Sequence, residues 1–302
     1  MGNKRYYSKS HYNNLGNYDY FVDYLKNDMA ILVIDQRNHG ESGKNIDIAK
    51  MKNILSNFDL SLSLEAIDMI IECLLKNDKA TLNNIVASLS LSEDKKIELL
   101  NILKRPIIKD MSFLRMKDDL DTVINQMKNS EGYEKINLVG TCMGGLVSCL
   151  YAVEKPENVN SLTLFSPLLT LDEVFINPQN DFGKKKQEIL HSGKQFRMGN
   201  CVEGIETEKE VASFMNEFLK KFYTSNIPMF CIQGTDDALV PCEAQNNIFA
   251  NVKRYRDVNE IDTPIYYAQL GGVHCLYDNI FACLDEAGQF LISCNDTEVR
   301  KI

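Results

Sequence analysis

Ile136-Asn137-Leu138-Val139-Gly140-Thr141-Cys142-Met143-Gly144-Gly145 runs straight into Leu146-Val147-Ser148-Cys149-Leu150-Tyr151-Ala152: an apolar strand-like run, a glycine-flanked turn and a helix-like run in succession. A strand, a Gly-x-nucleophile-x-Gly turn and a helix together lift one side chain clear of a sheet at a helix N-terminus, and the glycines tolerate the strained backbone around it. Here the lifted atom is a sulfur. Cys142 therefore reads as a nucleophile, and the N–H of Met143, the next residue, reads as a donor to an oxyanion. That combination points to acyl transfer, and within it to a hydrolase.

Outward from this turn, short runs rich in Val, Ile and Leu alternate with longer stretches of helical periodicity. This is the pattern of an α/β protein with a mostly parallel sheet and helices on both faces. Strands are expected over Ala30 to Ile34, Ile136 to Val139, Ser161 to Phe165, Pro228 to Gln233 and Pro264 to Gln269. The first is followed by Asp35-Gln36-Arg37-Asn38-His39-Gly40-Glu41-Ser42-Gly43 and the second by the Cys142 turn. The fourth leads into Gly234-Thr235-Asp236-Asp237-Ala238-Leu239-Val240-Pro241 and the fifth into Gly271-Gly272-Val273-His274. Reactive groups of open α/β sheets collect at the carboxyl ends of the strands, so Cys142, Asp237 and His274 are expected to converge on one edge.

With nucleophile, acid and histidine in that order, the chain resembles the α/β-hydrolase superfamily. Asp35 to Ser42 looks like the loop of esterases and of monoacylglycerol-lipase or lysophospholipase-like members. Gly234 to Pro241 looks like the family's acid loop, with Asp237 in the acid position and Asp236 one residue early. Gly272-Val273-His274 resembles the final histidine turn. The resemblance runs from about Asn17 to Cys294 and is interrupted by two inserts. It implies a Cys142-His274-Asp237 triad working without a cofactor or metal.

Two features depart from the family pattern. Its usual nucleophile is serine, and the cysteine version resembles dienelactone hydrolases and polyhydroxyalkanoate synthases, whose Gly-x-Cys-x-Gly-Gly box this chain matches. The family also has an apolar strand ending in His-Gly ahead of the helix read here around Tyr18 to Lys26, and that strand's loop supplies one oxyanion N–H. Met1 to Ser10 is too polar to be a buried central strand, so the N-terminal strands read as missing. The expectation is a chain cut short at its start, or a rearranged sheet with the second donor from elsewhere, the backbone near Ser8 to Asn14 being one source.

Composition narrows the function. The 302 residues are 44% hydrophobic and 25% charged, enough for one large core, and read as a single domain over 1–302 with a helical insert over 45–106 and a lid or cap over 170–226. The insert has helical periodicity in Leu62 to Leu75, Thr81 to Leu89 and Asp94 to Leu103. Lys44 to Arg105 holds nine basic and nine acidic residues, so this helix-turn-helix-like module lacks a DNA reader's basic face. In the cap, Glu203 to Tyr223 reads as one amphipathic helix. A net charge of −9 argues against nucleic acid or an anionic membrane as partner. No apolar run reaches the roughly 20 residues that span a bilayer. Nine scattered cysteines without CxxC pairs, and no apolar leader after Met1, place the chain in a reducing, cytoplasmic setting.

The expected substrate is a small or lipid-like carboxylic ester, thioester or lactone. A thiol at a helix N-terminus beside an imidazole can be held as thiolate, its pKa brought from about 8.5 into the 3.5 to 7.5 range. The thiolate attacks readily and also leaves readily, which suits good leaving groups and suits amides poorly. Two other functions fit the same residues: a polyhydroxyalkanoate-synthase-like acyltransferase using a coenzyme A thioester, and a binding module whose site is dead for want of its oxyanion strand. Cys149, Cys231, Cys283 and Cys294 read as core filler. His39 reads as a brace of its own loop, and His11 and His191 as surface or lid residues.

Overall fold

Sheet order follows from where the chain can bury apolar strands on both faces. The computed structural model describes residues 21, 23–25, 28–32, 34, 46–59, 62–76, 78–103, 113–170, 197–198, 201–202, 208–272, 274 and 280–299. Its strands are β1 (Ile136–Thr141), β2 (Val159–Phe165), β3 (Arg197–Met198), β4 (Cys201–Val202), β5 (Met229–Gly234) and β6 (Ile265–Leu270). Its helices are α1 (Ile48–Phe58), α2 (Leu64–Lys76), α3 (Lys79–Ser88), α4 (Glu93–Leu103), α5 (Phe113–Glu131), α6 (Met143–Glu154), α7 (Glu208–Tyr223), α8 (Cys242–Val258) and α9 (Ile280–Val299). They fall into two compact units, one of Met1–Ile34, Phe113–Lys194 and Ile205–Ile302, the other of Asp35–Ser112 and Gln195–Gly204.

In the first unit β1, β2, β5 and β6 form a parallel sheet in that order. Every residue of β5 is buried, as a central parallel strand requires, whereas in β6 Ile265, Tyr267 and Leu270 are half-buried and the other three residues exposed. Pleating sends successive side chains to opposite faces. Phe230 and Ile232 of β5 and Phe165 of β2 pack with Cys283, Leu284, Ala287, Phe290 and Leu291 of α9. Phe230 stacks on Phe290 at 5.6 Å. Neighbouring residues of β6 split the same way: Tyr266 meets Phe290 edge-on at 5.9 Å, and Tyr267 stacks on Phe249 of α8 at 4.8 Å. Helices therefore cover both faces.

Four of the five expected strands are these four. Of Ala30 to Ile34, Leu32 forms an isolated bridge and is 38% exposed. Phe21 and Asp23–Leu25 are helical, as the pattern around Tyr18 to Lys26 implied. The cap's helix is α7. It buries Met215, Phe218 and Phe222 and packs on α6 and α8, with Phe222 edge-on to Phe249 at 6.1 Å. Apolar residues at positions i, i+3 and i+7 line one face, which is why the helix joins the layer over the sheet. The rest of the 170–226 segment lies mainly outside the described residues.

The amino end of the sheet is closed by polar groups. Arg256 is 2% exposed, and its guanidinium donates to the carbonyls of Ser225 (3.0 Å), Ile227 (2.7 Å), Thr263 (3.0 Å) and Pro264 (3.1 Å), the residues that lead into β5 and β6. Nearby in the sheet, Asn137 donates to Asn295 of α9 at 2.9 Å and accepts from Ser161 at 2.7 Å and Asn160 at 3.0 Å.

The second unit is helical. Met51, Leu55, Ile67, Ile70, Ile71, Leu74, Leu82, Val86, Leu99 and Leu103 form its core. Each helix starts on a side-chain cap: Asp47 accepts from Lys50 N–H, Ser63 from Ala66, Asp78 from Thr81 and Ser92 from Lys95. Its surface charges pair off as Lys52–Asp68, Glu72–Lys76 and Glu93–Lys96.

Candidate active site

Cys142 follows the last residue of β1 and caps α6 with φ 50° and ψ −117°. That region disfavours any residue with a Cβ, so the surroundings must hold it there. They do so through the main chain. The Cys142 N–H donates to Phe165 O at 3.1 Å, and its carbonyl accepts from Leu168 N at 2.9 Å and Gly145 N at 3.0 Å. The glycines make the turn possible by having no side chain. A Cβ on Gly140 would lie 2.6 Å from the Gly144 carbonyl oxygen, and one on Gly145 would lie 2.6 Å from Pro167 Cβ. Helix α6 thus presses directly against the ends of β1 and β2, with its first residue, Met143, immediately after the thiol.

Asp237 and His274 come from the turns after β5 and β6. Those turns are tied by Thr235 N to Leu270 O and Asp236 N to Gly272 O, each 3.0 Å. The Asp237 carboxylate is buried, and its Oδ1 accepts from the N–H groups of Leu239 (2.9 Å) and Val240 (2.8 Å). Its Oδ2 meets His274 Nδ1 at 2.8 Å and accepts from Gln233 Nε2 at 2.8 Å. Burial pushes the carboxyl up, but the bonds from His274, Val240 and Leu239 outweigh it and hold the group below its ordinary value. Asp237, rather than Asp236, is the acid facing the imidazole. The Cys142 side chain interacts electrostatically with the His274 imidazole as well. Burial alone would lower the imidazole's pKa; the bond from Asp237 and the interaction with Cys142 overcome it and push it up to about 9. Of the three residues singled out from sequence, Asp237 and His274 are in hydrogen-bond contact, and Cys142 interacts electrostatically with His274.

Comparison with known proteins gives the family. The family described as alpha/beta hydrolase fold matches residues 9–199. The chain belongs to the α/β-hydrolase fold family. A curated relative, the poly(3-hydroxyalkanoate) polymerase subunit PhaC of Haloferax mediterranei, is 37% identical over 137 residues, covering 39% of this chain and 27% of that protein. Among solved structures, the monoacylglycerol lipase of Paleococcus ferrophilus is 16% identical, with TM-score 0.40, covering 61% of this chain and 76% of its own. Est1E from Butyrivibrio proteoclasticus with bound ferulic acid is also 16% identical, with TM-score 0.46, covering 62% and 71%.

Within this α/β-hydrolase, several expectations lie outside the described residues: the Asp35 to Ser42 loop, Ser8 to Asn14 as a source of the second oxyanion donor, and His11, His39 and His191. Cys149, Cys231, Cys283 and Cys294 are buried, and burial pushes their thiols up, Cys283 to about 11. No group of His, Cys, Asp or Glu among the described residues could hold a metal ion, and no helix among them is long and apolar enough to cross a membrane. Sequence reading missed Gln233. The signal was one amide at the end of an otherwise apolar strand, directly before the acid loop.

Proposed function

We propose that the chain is a hydrolase of small or lipid-like carboxylic esters, acting through Cys142, His274 and Asp237. The observation that carries this reading is the Asp237 Oδ2–His274 Nδ1 contact of 2.8 Å at the carboxyl edge of the sheet, with the Cys142 thiol on the glycine-flanked turn coupled to the same imidazole. With Nδ1 held by Asp237, the imidazole offers Nε2 to the thiol and takes its proton. The thiolate attacks the ester carbonyl, and the N–H of Met143 donates to the oxyanion; losing one such donor typically costs roughly 100-fold to 1000-fold in rate. Collapse of the tetrahedral species expels the alcohol, which receives the proton from His274, and leaves a thioester on Cys142. His274 then draws a proton from water, which attacks the thioester and frees the acid.

A second reading has the thioester intercepted by a hydroxyl other than water. The cysteine box and the partial match to a poly(3-hydroxyalkanoate) polymerase subunit favour it. Supplying a 3-hydroxyacyl coenzyme A thioester separates the two readings, since hydrolysis gives free acid and acyl transfer gives oligomer.

Iodoacetamide tests the shared step. Among the described residues burial raises the thiols of Cys73, Cys149, Cys231, Cys242, Cys283 and Cys294, so Cys142 should be alkylated before these six at neutral pH, with loss of aryl-ester cleavage. Retained cleavage after complete alkylation of Cys142 would remove it from the reaction.

A further inference from the structure

Gln233 is the next-to-last residue of β5, with its side chain fully buried, at 0% exposure, beneath the acid loop. Its Nε2 donates to Asp237 Oδ2 at 2.8 Å and to the Val240 carbonyl at 3.0 Å. Both neighbours are acceptors, so the amide must present its nitrogen to them; turned over, it would set its oxygen against a carboxylate. The oxygen it turns away, Oε1, is buried and has no hydrogen-bond partner. A buried amide that leaves its own acceptor unmatched in order to direct two N–H bonds at one loop is an unfavourable choice for packing alone. The place it acts on is specific. Oδ2 is the oxygen that His274 Nδ1 also engages, and Oδ1 is taken by the N–H groups of Leu239 and Val240. The amide supplies the second contact to Oδ2, and through Val240 O it bridges the start and end of the turn that carries the acid.

We infer that Gln233 is a positioning residue, which fixes the Asp237 carboxylate in its ionised form and aims its Oδ2 at the imidazole of His274. This rests on the triad reading above and adds to it a group that touches neither substrate nor thiol. Without the amide, Oδ2 loses a donor that favours the charged carboxylate, and the carboxyl is free to rotate about its remaining contacts. His274 is then less well stabilised as a cation, and the Cys142 thiolate forms at higher pH.

The test uses the full-length protein with Gln233→Met, which keeps the length and removes both donors, and Gln233→Glu, which keeps the shape. For Gln233→Met the expected result is a fall in kcat of roughly tenfold per alkylatable Cys142 thiol, with KM within about twofold. The acid limb of Cys142 alkylation by iodoacetamide should also move up by about one pH unit. In Gln233→Glu the new carboxyl can donate to Oδ2 only while protonated, so turnover should fall as pH rises through the shared titration of the two carboxyls. Wild-type kcat and a wild-type alkylation limb in these variants, with only the melting temperature lowered, would overturn the proposal and leave Gln233 as a loop tie. If Gln233→Met does not fold, Gln233→Glu alone decides. The alkylation limb needs no substrate, so it still reads the role of Gln233 if the wild-type protein cleaves no ester, an outcome that sinks the proposed reaction instead.

Discussion

At the amino end of the sheet a buried cation, Arg256, is met by four main-chain carbonyls; at the carboxyl end a buried anion, Asp237, is met by four N–H donors. The two sites match in number of bonds and differ in who makes them. All of Arg256's partners are backbone groups that cannot titrate or move without unfolding the ends of β5 and β6. Two of Asp237's partners are side chains, and one of these is an imidazole that also faces a thiol. Burial pulls the guanidinium down to about 10, still charged at neutral pH, so that end is electrostatically fixed. At the other end the charge is shared with a titratable imidazole. A buried charge satisfied by main chain alone serves the fold, whereas one that shares its bonds with titratable side chains can serve chemistry.

The comparison breaks first, if it breaks, at His274. His274→Ala should lower kcat for an activated aryl ester by roughly 1000-fold or more while the melting temperature changes by only a few degrees; unchanged turnover would take the imidazole out of the reaction. Arg256→Met should do the converse. Removing the guanidinium strands four carbonyls, costing about 3 to 5 kcal/mol in denaturant unfolding, with kcat per folded molecule unaltered. A fall in kcat at full folding would show that the two ends are coupled.

Stability against pH sharpens the same contrast. His274's pKa is raised in the folded state to about 9, from an ordinary 6.5. Its contribution is therefore complete below about pH 6.5 and is lost as pH rises through about 9, worth roughly 3 kcal/mol at most. Asp237 is lowered, so its share is present above its ordinary 3.8 and is lost as pH falls through its folded value. The difference in unfolding free energy between wild type and His274→Gln should thus be flat from about pH 4 to 6.5 and shrink toward pH 9. A difference that grows over that upper range would contradict the ion pair.

Gly145→Ala is expected to cost about 1 to 3 kcal/mol, because the new Cβ meets Pro167, and to slow turnover by displacing the Leu168 N–H from the Cys142 carbonyl. Asn295→Ala, at the other end, should cost about 1 kcal/mol and leave activity alone. Chemical denaturation and ester kinetics on the two variants check both.

The elbow, the four strands and the meeting of Asp237 with His274 were legible because each rests on a short-range rule: apolar runs of strand length, glycines where a Cβ has no room, and polar residues at strand ends. The boundaries of α2, α3 and α4 followed from helical periodicity to within a few residues. Other features needed three dimensions. Arg256 looks no different in sequence from Arg254, two residues away, and only packing shows that one is buried beneath the strand ends. Helix α7 has the amphipathic pattern of any surface helix, and nothing in that pattern says whether its apolar face covers a pocket or, as Met215, Phe218 and Phe222 do, a neighbouring helix. Gln233 shows its part only once Asp237 Oδ2 is found at its nitrogen.

The backbone at Cys142 sets durability against reactivity. With φ at 50°, a glycine there would relieve about 1 kcal/mol of main-chain cost and delete the sulfur in the same step. Selection of variants for heat resistance alone should therefore recover glycine at this position, giving a sturdier and inert protein, so any thermostabilisation of this chain has to screen for thiol chemistry alongside melting temperature.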